Sequence, residues 1–350
     1  MDQAPNYVAK FLDSNQFKFK KIHLIKPRVP IQIAHDLTIE MLEGDPRNAM
    51  SAVIDSSIII TWDDKVIFNA NDNQPHPEAI EYLLKKYAKI DLALLPYGGG
   101  SGYPACYRNL THDDKINEKN RIINSRLTLF LETVQALSPI AVIPFADQYA
   151  VAGRFSHLNQ YLAHLVCSGD VENAFLTNIK SNVKLILLNS SQSYNFEKDQ
   201  KFPDEVYEYY TEDNKNDFII QNLKEIKYDF DNIKINRSVA FDRLIQFARD
   251  RLWAAQNKDQ YFKNFNIYLE IQDLQRTFEI NLNSEKIKEC YSKQFIKPYL
   301  VLSGTASLML MLILGQISWN IADAALFIEY ERNPNEYDPD IYKYINFIKV

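Results

Sequence analysis

Glycine is scarce in this chain: nine residues in 350, against an ordinary usage of roughly 7%. Cysteine is scarcer. Cys106, Cys167 and Cys290 are odd in number, far apart and form no CxxC pair, which argues against a disulfide framework or a cysteine zinc site and fits a reducing cytoplasm. Long apolar runs are missing too. The longest, Ala306–Leu314, falls well short of the roughly 20 residues of a spanning helix and reads as a core helix, so no membrane contact is expected. The start, Met-Asp-Gln-Ala-Pro-Asn, has neither the basic nor the apolar region of a signal peptide. No block of lysine or arginine could track a phosphate backbone, and the net charge is −6, so nucleic acid is not an expected partner. HExxH, HxHxDH, GxSxG and GxxxxGK[ST] are all absent.

What is present is an ordinary globular balance, 46% hydrophobic and 24% charged, at a length that suits two domains. Ser57–Trp62 and Lys65–Phe68 read as strands joined at Asp63-Asp64. Helical spacing follows at 77–89, a buried strand at 90–95, a long amphipathic helix at 113–137, and strands at 139–143 and 183–188. A helix at 7–18 and a strand at Lys21–Ile25 precede them. This alternation implies a sheet covered by helices. The stretch 196–237 is polar and acidic and reads as a linker or surface excursion. From 238 to 350 helical patterns flank strands near Phe262–Leu274 and Tyr299–Leu302, an α+β domain.

Four of the nine glycines, Gly98, Gly99, Gly100 and Gly102, fall within five residues after the 90–95 strand. Glycine concentrates where the backbone needs positive φ or where another group must approach too closely for a Cβ. With Ser101 they form a loop expected to shape a pocket. The spacing is not GxGxxG, since Tyr103 holds the last glycine's place, and Ser101 has no placeable His-Asp pair. Asn69-Ala70-Asn71-Asp72 follows another strand. Asp72 could bind a metal or act as a base, or the step could be a plain Asx-turn. Asp72 and the glycine loop are expected at one end of the same sheet. Of the six histidines, His23 reads as packed, and His35, His76, His112 and His164 lack metal-ligand spacing. His157, in Arg154-Phe-Ser-His157, is open to a ligand or a structural role.

Taken in order, Asp55–Asp72, Asp91–Pro104, Pro144–Ala150 with Ser156-His157, and Leu188–Tyr194 resemble metallo-β-lactamase-fold proteins. The likeness is to the non-Rieske part of CMP-N-acetylneuraminate hydroxylase and related bacterial proteins, and it extends to Ile317–Asp323 and Glu331–Tyr337. The resemblance implies an α/β (α+β) fold: a partial αββα sandwich over 1–195 and a smaller α+β domain over 238–350. It implies a zinc or iron site at the sandwich edge, with Asp72 as bridging, catalytic ligand and His157 as a further ligand. The family's HxHxDH segment belongs upstream of this chain's start, which leaves the ligand set incomplete. Two readings follow: a metal-dependent hydrolase or oxygenase, incomplete or inactive alone, and a non-catalytic binding or partner subunit. A homo-oligomer or a separate subunit would supply the missing half, and the small-molecule substrate stays undefined.

Overall fold

The computed structural model describes residues 25–45, 56–145, 149–163, 168–209, 211–236, 239–291 and 294–350. The expected 7–18 helix, the strand from Lys21, and His23, Asp147, His164 and Cys167 lie outside these residues. The protein is mixed α/β. Its contacts divide it into two compact units that interleave along the chain: 1–97, 128–146 and 172–208, then 98–127, 147–171 and 209–350. The 196–237 stretch is shared, 196–208 in the first unit and 209–237 in the second.

The first unit is built on a seven-stranded sheet whose spatial order follows the sequence. β1 (Ile31–Gln32), β2 (Leu37–Glu43), β3 (Ser56–Trp62) and β4 (Lys65–Asn69) form an antiparallel meander. β4, β5 (Leu92–Pro96), β6 (Ala141–Phe145) and β7 (Lys184–Leu185) then run parallel. The β3–β4 turn falls at Asp63, whose φ of 56° is a left-handed conformation that aspartate tolerates. Period-2 burial runs through both strands, with Ile59, Val66 and Phe68 inward. Parallel neighbours need crossovers, and helices supply them. α1 (Pro77–Lys86) has proline in its first turn, Glu78 near its start and Lys85 and Lys86 near its end, which suit the helix dipole. It buries Ala79 and Leu83, and a fully buried leucine stabilises by about 1.5–3 kcal/mol. α2 (His112–Leu137), of which 128–137 belong to this unit, and α3 (Ser168–Asn178), from 172 on, complete the alternation. β7 is shorter than the 183–188 strand read from the sequence.

Within 196–237, β9 (Gln200–Phe202) pairs with β8 (Ser193–Asn195), and α4 (Glu212–Phe218) starts on a Thr211 capping box.

The second unit holds a five-stranded sheet ordered β12-β11-β10-β13-β14. β10 (Asn266–Ile271) and β13 (Tyr299–Gly304) are central, parallel and buried at every position. β11 (Arg276–Asn281), β12 (Lys288–Cys290) and β14 (Glu329–Asn333) flank them. α5 (Phe241–Asp259), α6 (Ala306–Ile313), α7 (Trp319–Ala324) and α8 (Pro339–Ile345) belong to this unit. Its core gathers Phe241, Leu252, Leu269, Leu302, Leu308 and Trp319.

Candidate functional site

β4 and β5 are parallel neighbours, so both strands exit at one end of the first unit's sheet. Ala70 N–H donates to Leu94 O across that exit at 3.0 Å. Asn69 Oδ1 accepts the Asn71 N–H at 2.9 Å, and Asn71 sits at φ 56°. The Asn-Asp step is therefore an Asx-turn, and it leaves Asp72 exposed. Asp72 belongs to the first unit and His157 to the second. Among the described residues, no three or more His, Cys, Asp or Glu side chains converge to hold a metal.

The glycine loop opens the second unit. None of its four glycines has a positive φ. A Cβ on Gly99 would meet nothing nearer than Arg126 at 3.8 Å, and one on Gly100 nothing nearer than Ala324 at 4.0 Å. At Gly102 it would stand 2.5 Å from Cys106 Sγ and 2.7 Å from Asp323 Oδ1. The close approach that glycine allows is thus at Gly102. There the Gly102 N–H and the Ser101 and Tyr330 hydroxyls donate to the Asp323 carboxylate. Burial pushes the Asp323 carboxyl up, and these bonds offset part of the rise. Cys106 donates to Gly102 O at 3.0 Å. Burial raises its thiol well above the usual range, which makes it a packing residue rather than a nucleophile. Gly100 lines a separate, largely apolar cavity with Tyr149, Tyr228 and Ile321.

Beside Cys106 the second unit holds a cavity of about 380 Å³, lined among others by Arg108, Lys115, Arg154, His157, Ser303 and Glu329. One wall is the sheet. Ser303 on β13 is paired in register with Glu270 on β10 and with Glu329 on β14. Residues directly opposite on adjacent strands share a face, so these three side chains form one row, and Glu331 lies two residues along on that face. Arg108 spans part of it, donating to Glu270 Oε2 at 2.6 Å and to Glu331 Oε2 at 2.9 Å. Glu329 accepts from Gln272 Nε2 at 2.6 Å and makes no ion pair among the described residues. Ser303 is 1% exposed, and its hydroxyl has no hydrogen-bond partner among the described residues.

The facing side chains are basic. Lys115, on α2, donates to Ala105 O at 2.9 Å and lies 5.0 Å from the Tyr161 ring centre. Burial lowers its ammonium's pKa, opposed by the Cys106 thiol and Glu329. It too makes no ion pair among the described residues. Arg154 is paired with Asp231 at 2.7 Å and covers the Phe155 ring. His157 is exposed on the 3₁₀ turn Gly153–Tyr161. Its Nδ1 lies 2.9 Å from Arg154 O. A carbonyl only accepts, so Nδ1 carries the proton and a neutral ring leaves Nε2 as an acceptor. Of the sequence-selected residues, His157 alone lines this cavity.

Lys115, Ser303, Glu329 and Asp323 were not selected from the sequence. Asp323 does end the Ile317–Asp323 stretch that resembles the family. Ser303 gave no signal, being a small residue within an apolar strand whose partners are distant in sequence.

No protein-family model matches the chain, and no curated protein matches it. Among solved structures it is similar to CmlA, a diiron β-hydroxylase from Streptomyces venezuelae, at 14% identity and a TM-score of 0.27, over 38% of this chain and 26% of that one. It is also similar to the metallo-β-lactamase fold protein YhfI from Bacillus subtilis, at 11% identity and a TM-score of 0.29, over 51% of this chain and 59% of that one. The chain thus spans less than two thirds of either structure. At such scores neither likeness bears on this chain's chemistry.

Proposed function

We propose that the chain is a metallo-β-lactamase-like protein that acts as a non-catalytic binding subunit, with its ligand site in the second unit. The observation that carries this reading is the cavity beside Cys106, where, among the described residues, Lys115 and Glu329 have no ion pair and the buried Ser303 hydroxyl has no hydrogen bond. Ser303 is buried, and buried polar groups are normally satisfied; a ligand that bonds its hydroxyl and pairs with Lys115 and Glu329 would satisfy all three. A thermal-shift screen of small metabolites tests it. At least one compound should raise the melting temperature of the wild type and not of Lys115→Met. A screen without such a compound would count against the reading.

A second reading is the metal-dependent hydrolase or oxygenase, using zinc or iron. One observation favours it: the carbonyl bond at His157 Nδ1 presents Nε2 outward, as backbone partners do for metal-bound imidazoles. Asp72 would be the other ligand, and a homo-oligomer or a separate subunit would have to supply the rest. Elemental analysis of freshly purified protein, with chelator, tests this reading. Two tightly held ions per chain and a chelator-sensitive hydrolase or oxygenase activity would establish it in place of the first.

A further inference from the structure

We propose that the cavity beside Cys106 takes a small zwitterion of the amino-acid class, with its carboxylate at Lys115 and its ammonium at Glu329 and Ser303. This rests on reading the cavity as a binding site and goes on to name the ligand's chemistry.

The charges decide the class. Five of the seven charged side chains in and behind the walls, Arg108, Glu270, Glu331, Arg154 and Asp231, are already matched to one another. Arg108 is held between Glu270 and Glu331, and Arg154 by Asp231, while Glu270 and Glu331 share the face that carries Ser303. That leaves one cation, Lys115, and one carboxylate, Glu329, each held by neutral partners. A ligand with a single charge would pair with one of them and leave the other, half-buried Lys115 or exposed Glu329, with neutral partners only. A ligand with both charges satisfies the two together.

Ser303 assigns the ends. It is directly across the strand pair from Glu329, where Cβ atoms stand about 4.5–5.5 Å apart. A carboxylate and a hydroxyl at that spacing offer adjacent acceptors to one ammonium group. The volume of about 380 Å³ lies at the small end of ligand pockets, roughly 300–1,000 Å³. Phe155 and Phe327 add apolar lining for a side chain.

The test is a thermal-shift series on the full chain with the standard L-amino acids tried singly. Propionate, propylamine and inorganic phosphate serve as one-charge controls. One or more amino acids should raise the melting temperature while the controls do not. By calorimetry, Lys115→Met and Glu329→Gln should each weaken that amino acid about tenfold or more, the loss of one charge-assisted hydrogen bond. Glu329→Gln keeps the shape of the side chain, so it carries the test if Lys115→Met fails to fold. Ser303→Ala should melt no lower than the wild type without ligand, because its hydroxyl has no partner to lose, yet bind the amino acid more weakly. If propionate or phosphate stabilises as well as any amino acid, the zwitterion is overturned while the cavity remains a binding site. If an amino acid binds with equal affinity to wild type, Lys115→Met and Glu329→Gln, the placement is overturned. If no amino acid binds but a neutral metabolite does, this inference falls alone. If nothing binds, the binding reading falls with it.

Discussion

Gly102 lies directly against Asp323: its N–H donates to the carboxylate, and a Cβ at that position would come within 2.7 Å of Asp323 Oδ1 and 2.5 Å of Cys106 Sγ. Gly102→Ala must therefore displace a buried carboxylate or a buried thiol. Such overpacking costs about 1–3 kcal/mol. Gly99→Ala and Gly100→Ala meet no such obstacle and should change stability by less than about 1 kcal/mol. Urea melts of the three variants check this. Equal losses at all three positions would show that the loop as a whole, rather than one close approach, sets the requirement.

Asp323 is a buried carboxylate with three donors. Burial raises its pKa above the ordinary aspartate value of 3.8. A carboxyl raised on folding binds its proton more tightly in the folded state, so its contribution to stability falls as pH climbs from the unfolded to the folded value. Asp323→Asn keeps an acceptor oxygen and removes the charge. It should be within about 1 kcal/mol of wild type at neutral pH and should lack that pH dependence. Asp323→Ala leaves three donors without their acceptor and should lose about 2 kcal/mol or more. Stability curves at several pH values distinguish the two, and an Asp323→Asn as damaged as Asp323→Ala would refute the account.

Glu40 behaves in the opposite sense. It is 1% exposed. Burial alone would raise its carboxyl, but bonds from Lys86, Tyr82 and Tyr87 outweigh that and hold it below the ordinary value of 4.5. Lys86 Nζ and the Tyr87 hydroxyl each approach it to 2.6 Å. A carboxyl lowered on folding stabilises above its unfolded pKa, and the gain is lost as pH falls through the folded value. Glu40→Gln should thus cost about 2 kcal/mol at pH 7. The gap from wild type should close below about pH 4. A gap that stays constant down to pH 3 would disprove the ionic origin.

Gly153 supplies a backbone test in the second unit. Its φ is +61°, and a Cβ would lie 2.5 Å from Ile226 O. Gly153→Ala combines left-handed strain with a backbone clash and should lose more than about 1 kcal/mol. A melt within error of wild type would contradict that geometry.

The sequence was most legible where order is local. The β3–β4 hairpin shows itself through alternation and Asp63-Asp64, and α1, α2, α5 and α6 through helical spacing. β5 and β13 show as short apolar runs. What periodicity could not reveal was pairing at a distance. β14, Glu-Tyr-Glu-Arg-Asn, looks too charged for a strand until Arg108 and Tyr299 are seen bonded to Glu331 and Asn335 to Arg332. β11, with Arg276 held by Glu289, was hidden in the same way. Glycine density drew attention to Gly98–Gly100, yet steric need falls on Gly102, because the demand comes from Asp323, more than two hundred residues away. Ser303 owes its place between Glu270 and Glu329 to strand register, and register is not written in the composition of one strand.

The account turns on where a ligand binds. Hydrogen–deuterium exchange of the full chain, with and without the screened compound that raises the melting temperature most, locates it directly. Protection should appear in peptides covering 105–115, 154–158 and 303–309, which carry Lys115, His157 and Ser303. Protection confined to 69–74, around Asp72, with none at the cavity, would contradict the account.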